Sequence, residues 1–164
     1  MKKTITILAL LVICLNIWSQ KINWKATAVN MIGTTAAIAC EMTGDALYDL
    51  GKRDDNLKQI QYGHLLQASG YALMIPTVAL TIHWADHPKS WWLGDMTVML
   101  MTYGFQRWAF ADAFYNVVRP DVNILYAGST TMHDNLISKM PPGERILTKS
   151  FGLGVSFIMN IQYW

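Results

Sequence analysis

The chain has 164 residues, enough for one domain and too few for two ordinary ones. Charged residues make up 15%, well below the ~25% of typical soluble domains, while apolar residues reach 52%, with 7 Trp and 10 Met. The net charge of +2 gives no reason to expect nucleic acid as a partner, and a mean hydropathy of +0.21 fits either several membrane spans joined by polar loops or a soluble bundle with a large core.

Lys2 and Lys3 precede an uncharged run over residues 4–20, whose apolar part ends at Trp18. A basic start, a short apolar stretch and the small Ser19 have the form of a secretory signal cleaved after Ser19. An uncleaved anchor is the other reading, since about 17 residues is the lower limit for a span. A lipoprotein reading of Cys14 is disfavoured by the bulk of Ile13 before it. In each version the chain after Gln20 starts outside. Cys14 and Cys40 both sit in apolar stretches and do not form a disulfide framework.

The next segment covers residues 24–50, uncharged from 26 to 40, then carrying Glu41, Asp45 and Asp49 at intervals of four. Gly51 is expected to end this helix. A polar turn at 52–56 leads into residues 65–84, twenty residues without Asp, Glu, Lys or Arg. At ~1.5 Å per residue that run matches a ~30 Å hydrocarbon core. Pro76 should kink it, a defect that membrane helices tolerate. A further segment, residues 90–118, opens with the interfacial pair Trp91-Trp92, contains Asp95, Arg107, Asp112 and Asn116, and stops at Arg119-Pro120.

Beyond it, Thr131 and Asp134 resemble a capping box for a short helix to Lys139, and residues 140–143 form a turn. A last helix runs from near Glu144 to Tyr163, with Gly152, Gly154 and Ser156 permitting close packing. Alternating apolar residues there also fit a strand, but a lone strand cannot satisfy its backbone in lipid.

These elements describe an all-α polytopic transmembrane helical bundle. It has three strong spans, a C-terminal fourth, and an N-terminal signal or anchor over residues 1–19, with residues 20–164 forming a single membrane domain. Charge supports the topology. Lys52, Arg53, Lys58, Arg119, Lys139, Arg145 and Lys149 fall in cytoplasmic stretches, and Lys89 alone in the external loop. Lys21 and Lys25 count against the pattern, yet the balance obeys the positive-inside rule and points to a multi-pass protein of a bacterial inner membrane.

That topology gathers polar residues at one leaflet. Asn30, Thr34, Glu41, Asp45 and Asp49 share one helical face. Glu41 and Asp45 at i and i+4, with His64 from a neighbour, have the donor set for a divalent metal that activates water against a lipid-like ester or phosphodiester. Arg107 and Asp112 complete this candidate catalytic pocket, and Asn116 and Asp134 are candidate substrate-binding residues. Ion pairing of Glu41 and Asp45 with Arg107, and of Asp49 with Lys52 or Arg53, is the structural alternative. Arg107 and Asp112, five apart, do not face each other. Arg107 can also snorkel to headgroups. His83 and His87 are a weak zinc pair, because the residue before Pro88 resists helical geometry. Asp95 is expected to be wet. No phosphate loop, dinucleotide fingerprint, H-E-x-x-H or C-x-x-C occurs, nor a G-x-S-x-G elbow.

The run Arg107-Trp108-Ala109-Phe110-Ala111-Asp112-Ala113-Phe114-Tyr115-Asn116, followed by residues 126–131 and Asp134, resembles small polytopic membrane proteins of the Bacteroidetes group and their phages. The resemblance covers the second half of the chain. It groups Arg107, Asp112, Asn116 and Asp134 as one unit and implies no function. Three classes of function remain. The first is a structural or accessory subunit of a membrane assembly, with lipid and a membrane-protein partner or a second copy as neighbours. The second is a metal-dependent membrane hydrolase. The third is an ion or proton path lined by Glu41, Asp95 and Arg107.

Overall fold

The computed structural model describes residues 22–123 and 138–164. The N-terminal signal or anchor, the capping box at Thr131 and the candidate residue Asp134 lie outside them. The described chain is all-helical: α1 Trp24–Arg53, α2 Leu57–Trp84, α3 Trp92–Val118 and α4 Pro142–Tyr163, with a single 3-10 turn, Lys89–Trp91, leading into α3. The C-terminal segment is thus helix and not strand, and α2 is continuous through Pro76.

The four helices form an up-and-down bundle. α1 is the central element, packed along α2 on one side and α3 on the other; α4 lies on α3 and touches α1, while α2 and α3 hardly meet. The two ends of the bundle differ. One gathers Trp24, Trp84, Trp91, Trp92 and Trp164 at helix termini, five of the seven tryptophans. Asn23 ties two helices there: its Oδ1 accepts from Ala26 N at 3.2 Å, capping α1, while its Nδ2 donates to the Trp84 carbonyl at 2.6 Å, closing α2. The other end carries the charged turns.

Glycine sets the α1–α2 distance. Ala37, Gly44 and Gly51 on α1 repeat every seven residues, as do Gly63, Gly70 and Thr77 on α2. In the antiparallel hairpin 37 lies opposite 70, 44 opposite 63 and 51 opposite 56. A Cβ on Gly63 would sit 2.8 Å from the Gly44 carbonyl oxygen, one on Gly44 2.7 Å from that of Gly63, and one on Gly70 2.7 Å from that of Ala37. Small residues at heptad spacing let two backbones touch along a left-handed seam. This seam was present in the sequence as a seven-residue small-residue repeat on two neighbouring helices.

The turn differs from expectation. Gly51 does not end α1; it is buried in the seam against Ile60, and the helix continues to Arg53. The left-handed position falls on Asp55 (φ 49°), and the Asn56 N–H closes back onto the Gly51 carbonyl at 2.8 Å, the outer bond of a Schellman motif. Aspartate tolerates that conformation better than most residues but less well than glycine. Asp55→Gly is therefore expected to raise stability by about 0.5–1 kcal/mol, read as a higher unfolding midpoint of the purified protein.

The interior is polar and the exterior apolar. Asn30, Thr34, Thr102, Gln106, Ser156 and Asn160 are completely buried, whereas Ile75 and Phe151 are each 72% exposed and Leu65 and Leu100 more than 60%. Buried apolar side chains form a cluster at the tryptophan end, Ala26, Val98, Met99 and Trp164, and continue along α1 through Ala37, Ile38, Met42, Ala46 and Leu50.

Candidate functional site

Three polar layers cross the bundle. The first lies toward the charged end and contains the acidic ladder of α1. Glu41 is 6% exposed and accepts from three side chains on two helices: Tyr71 OH of α2 at 3.3 Å, and Tyr103 OH and Arg107 Nη1 of α3, each at 2.5 Å. Asp45 accepts from Gln67 Nε2, and the other end of that amide, Oε1, meets His64 Nδ1 at 3.2 Å. Asp49 accepts from Tyr115 OH at 2.5 Å rather than pairing with Lys52 or Arg53. Asp112 pairs with Lys149 Nζ of α4 at 2.9 Å, and the same ammonium donates to the Trp108 carbonyl at 3.0 Å.

Glu41 and Arg107 thus meet directly, as the ion-pair reading expects. Asp45 and His64 are linked only through Gln67, and Asp112 belongs to a separate α3–α4 contact. Asn116 is buried on α3. Among the described residues no group of three His, Cys, Asp or Glu side chains converges closely enough to hold a metal. At the extreme of this end Arg53 reaches Asp121 at 3.2 Å, and Arg119 holds the same carboxylate at 2.6 Å, joining the ends of α1 and α3. Hydrogen bonding from Arg119 pulls the Asp121 carboxyl from 3.8 down to about 2. Its contribution is present above pH 3.8 and is lost only as the pH falls through about 2.

The second layer is uncharged and sits where α1, α3 and α4 cross. Asn30 Nδ2 donates to Asn160 Oδ1 at 2.7 Å and to Thr102 Oγ1 at 3.2 Å; Asn160 Nδ2 donates to Thr102 Oγ1 at 2.7 Å. Trp164 Nε1 donates to Asn160 Oδ1 at 2.8 Å. One turn further on, Thr34 Oγ1 donates to Gln106 Oε1 at 2.5 Å, and Gln106 Nε2 donates to the Met31 carbonyl at 3.2 Å. Because these bonds join α1, α3 and α4, the layer fixes the register of three helices at once, although Asn30 Oδ1 is buried without a partner among the described residues. Gln106 and Asn160, amides set in the uncharged runs 96–106 and 150–164, were the signal for it.

The third layer caps the tryptophan end. Asp95 is 3% exposed, so it is not wet. Its Oδ1 accepts from His87 Nδ1 at 2.9 Å and from Tyr163 OH at 3.0 Å. The His87 ring lies among Trp91, Tyr163 and Trp164, with centroids 4.8–5.6 Å away. His87 is three residues past the end of α2, and this clasp, not a pairing with His83, is its environment. Outside these layers, a groove of about 590 Å³ runs between α3 and α4, lined by Met101, Phe105, Trp108 and Phe151 among others.

No protein-family model, curated protein or solved structure matches the chain.

Proposed function

We propose that the chain is a four-span membrane protein serving as a structural or accessory subunit of an inner-membrane assembly. One described helix, α2, is long and apolar enough to cross a membrane on its own composition. Two features extend the reading to the others. The bundle buries amides and carboxylates while displaying leucine, isoleucine and phenylalanine. In water this arrangement forfeits the main driving force of folding, whereas in lipid exposed apolar groups are at no disadvantage and internal hydrogen bonds hold helices together.

The second feature is a ruler. About 20 residues, ~30 Å, span the hydrocarbon core. Counted inward from Trp24, Trp84, Trp92 and Trp164, that length ends at Gly44, His64, Asp112 and Glu144. All four helices therefore run from an aromatic belt to a ring of ionisable side chains (Asp45 standing next to Gly44), as interfacial residues do on the two faces of a bilayer.

The observation that carries the structural role is that the buried side chains Thr34, Glu41, Asp95, Thr102, Gln106 and Asn160 are each hydrogen-bonded to a neighbouring helix. Glu41, Asp45, Asp49, Asp95 and Asp112 are all engaged in holding helices, which suits a bundle whose outward apolar faces serve its partner. The topology predicts that a reporter fused within the 54–56 turn reads cytoplasmic and one within 85–90 reads external. Reversed signals, or release of the protein from membranes by alkaline carbonate, would overturn the membrane reading. Migration of gently solubilised protein only as a lone 18.5 kDa chain would overturn the assembly role.

A further inference from the structure

Arg107 has more donors than the bundle uses. Both of its bonds, to Glu41 Oε2 and to Tyr103 OH at 3.1 Å, come from Nη1. Among the described residues Nε and Nη2 donate to nothing, and the side chain is 39% exposed. In lipid an unmatched N–H is expensive, so that open edge calls for an acceptor.

Its depth narrows what the acceptor is. Arg107 Nη1 lies 2.5 Å from Glu41 Oε2, so the guanidinium sits at the depth of the Glu41 carboxylate. On the membrane reading proposed above, on which this inference rests, that level is about 5 Å inside the Gly44 boundary. This is the depth at which the acyl chains of a phospholipid join its glycerol.

Charge narrows it further. Glu41 already neutralises Arg107, and Asp45, held by the Gln67 amide, adds a negative charge close by. Another anion would meet net negative charge in a low-dielectric setting, whereas a neutral carbonyl would not. Two free N–H groups on one guanidinium edge can each donate to a carbonyl oxygen. We propose that Arg107, through its Nε–H and Nη2–H edge, holds a phospholipid of the inner leaflet by its acyl-ester carbonyls. The lipid then completes the layer in which Glu41 joins α2 to α3, two helices that hardly touch each other.

The test uses the full chain in vesicles of dioleoyl phosphatidylcholine or of its diether analogue, which keeps the phosphate and chains but lacks the carbonyls. Native mass spectrometry then counts the lipid retained after detergent dilution. Wild type should keep one diester lipid at least about tenfold more than the diether. Arg107→Lys keeps the charge opposite Glu41 but loses that edge, and should bring diester retention down to the diether value. Equal retention of the two lipids by firmly inserted protein assigns binding to the headgroup or the chains and overturns the proposal. So does undiminished diester retention by the lysine variant. Loss of the protein from the vesicles in alkaline carbonate would mean instead that the membrane reading itself had failed.

Discussion

Gly63→Ala lowers the unfolding midpoint, and Gly104→Ala raises it. Both substitutions put the same methyl group on a helix, and alanine favours helix over glycine by about 1 kcal/mol. At Gly104 no atom lies within 4 Å of the new Cβ, so this gain is kept. At Gly63 the new Cβ would lie 2.8 Å from the Gly44 carbonyl oxygen and 2.8 Å from the Tyr48 nitrogen. These are backbone atoms of a helix and cannot rotate away. Relief requires α1 and α2 to part, and parting them also opens the contacts at Gly70 and Gly51. Overpacking of this kind costs about 1–3 kcal/mol, leaving a net loss of up to about 2 kcal/mol after the helix gain. Gly63→Leu should exceed 3 kcal/mol and leave no stable hairpin. Thermal or SDS-induced unfolding of the solubilised protein measures all three. A stabilising Gly63→Ala would show that the helices are not held in contact at this seam.

The helices were legible because their apolar runs are long and their stops strong: Arg119-Pro120, the polar turn at 52–56 and the His87-Pro88 junction all mark real ends. The α1 boundary was misread at Gly51, where a glycine required by the partner helix resembles a glycine that ends a helix. The two uses differ only in what faces the residue, which one helix does not reveal. The acidic ladder of α1 was legible as a shared face, and Glu41–Arg107 as a pair. Its other partners were not, because Gln67, Tyr71, Tyr103 and Tyr115 are uncharged and look like packing residues along a sequence. Asp95 was misjudged for a related reason. Its place near a helix terminus suggests water, but the aromatic side chains of Trp91, Tyr163 and Trp164 close over the His87 that binds it. Tyr163 and Trp164 reach this site from α4, which the sequence around Asp95 does not reveal.

The ion pair between Glu41 and Arg107 yields the second large effect. Arg107→Ala removes the only cation bonded to Glu41 among the described residues and leaves the carboxylate with two tyrosine hydroxyls in a site 6% exposed. Breaking a buried pair from one side costs about 3–5 kcal/mol, because a charge remains without compensation. Arg107 is itself partly exposed, so the loss should lie near the lower limit, about 3 kcal/mol. Glu41→Gln strands the arginine instead and should cost a similar amount. The double variant Glu41→Gln with Arg107→Gln leaves no charge behind and still offers amide groups to Tyr71 and Tyr103. Its loss should be smaller than the sum of the single losses by about 1–3 kcal/mol, the coupling expected of residues in one network. Strict additivity would show that the two groups act apart, and an unchanged midpoint for Glu41→Gln would remove the pair from the account of how α1, α2 and α3 are held. A double loss smaller than the two single losses together shows that the two ions act as one unit in choosing the helix arrangement, as the proposed structural role requires.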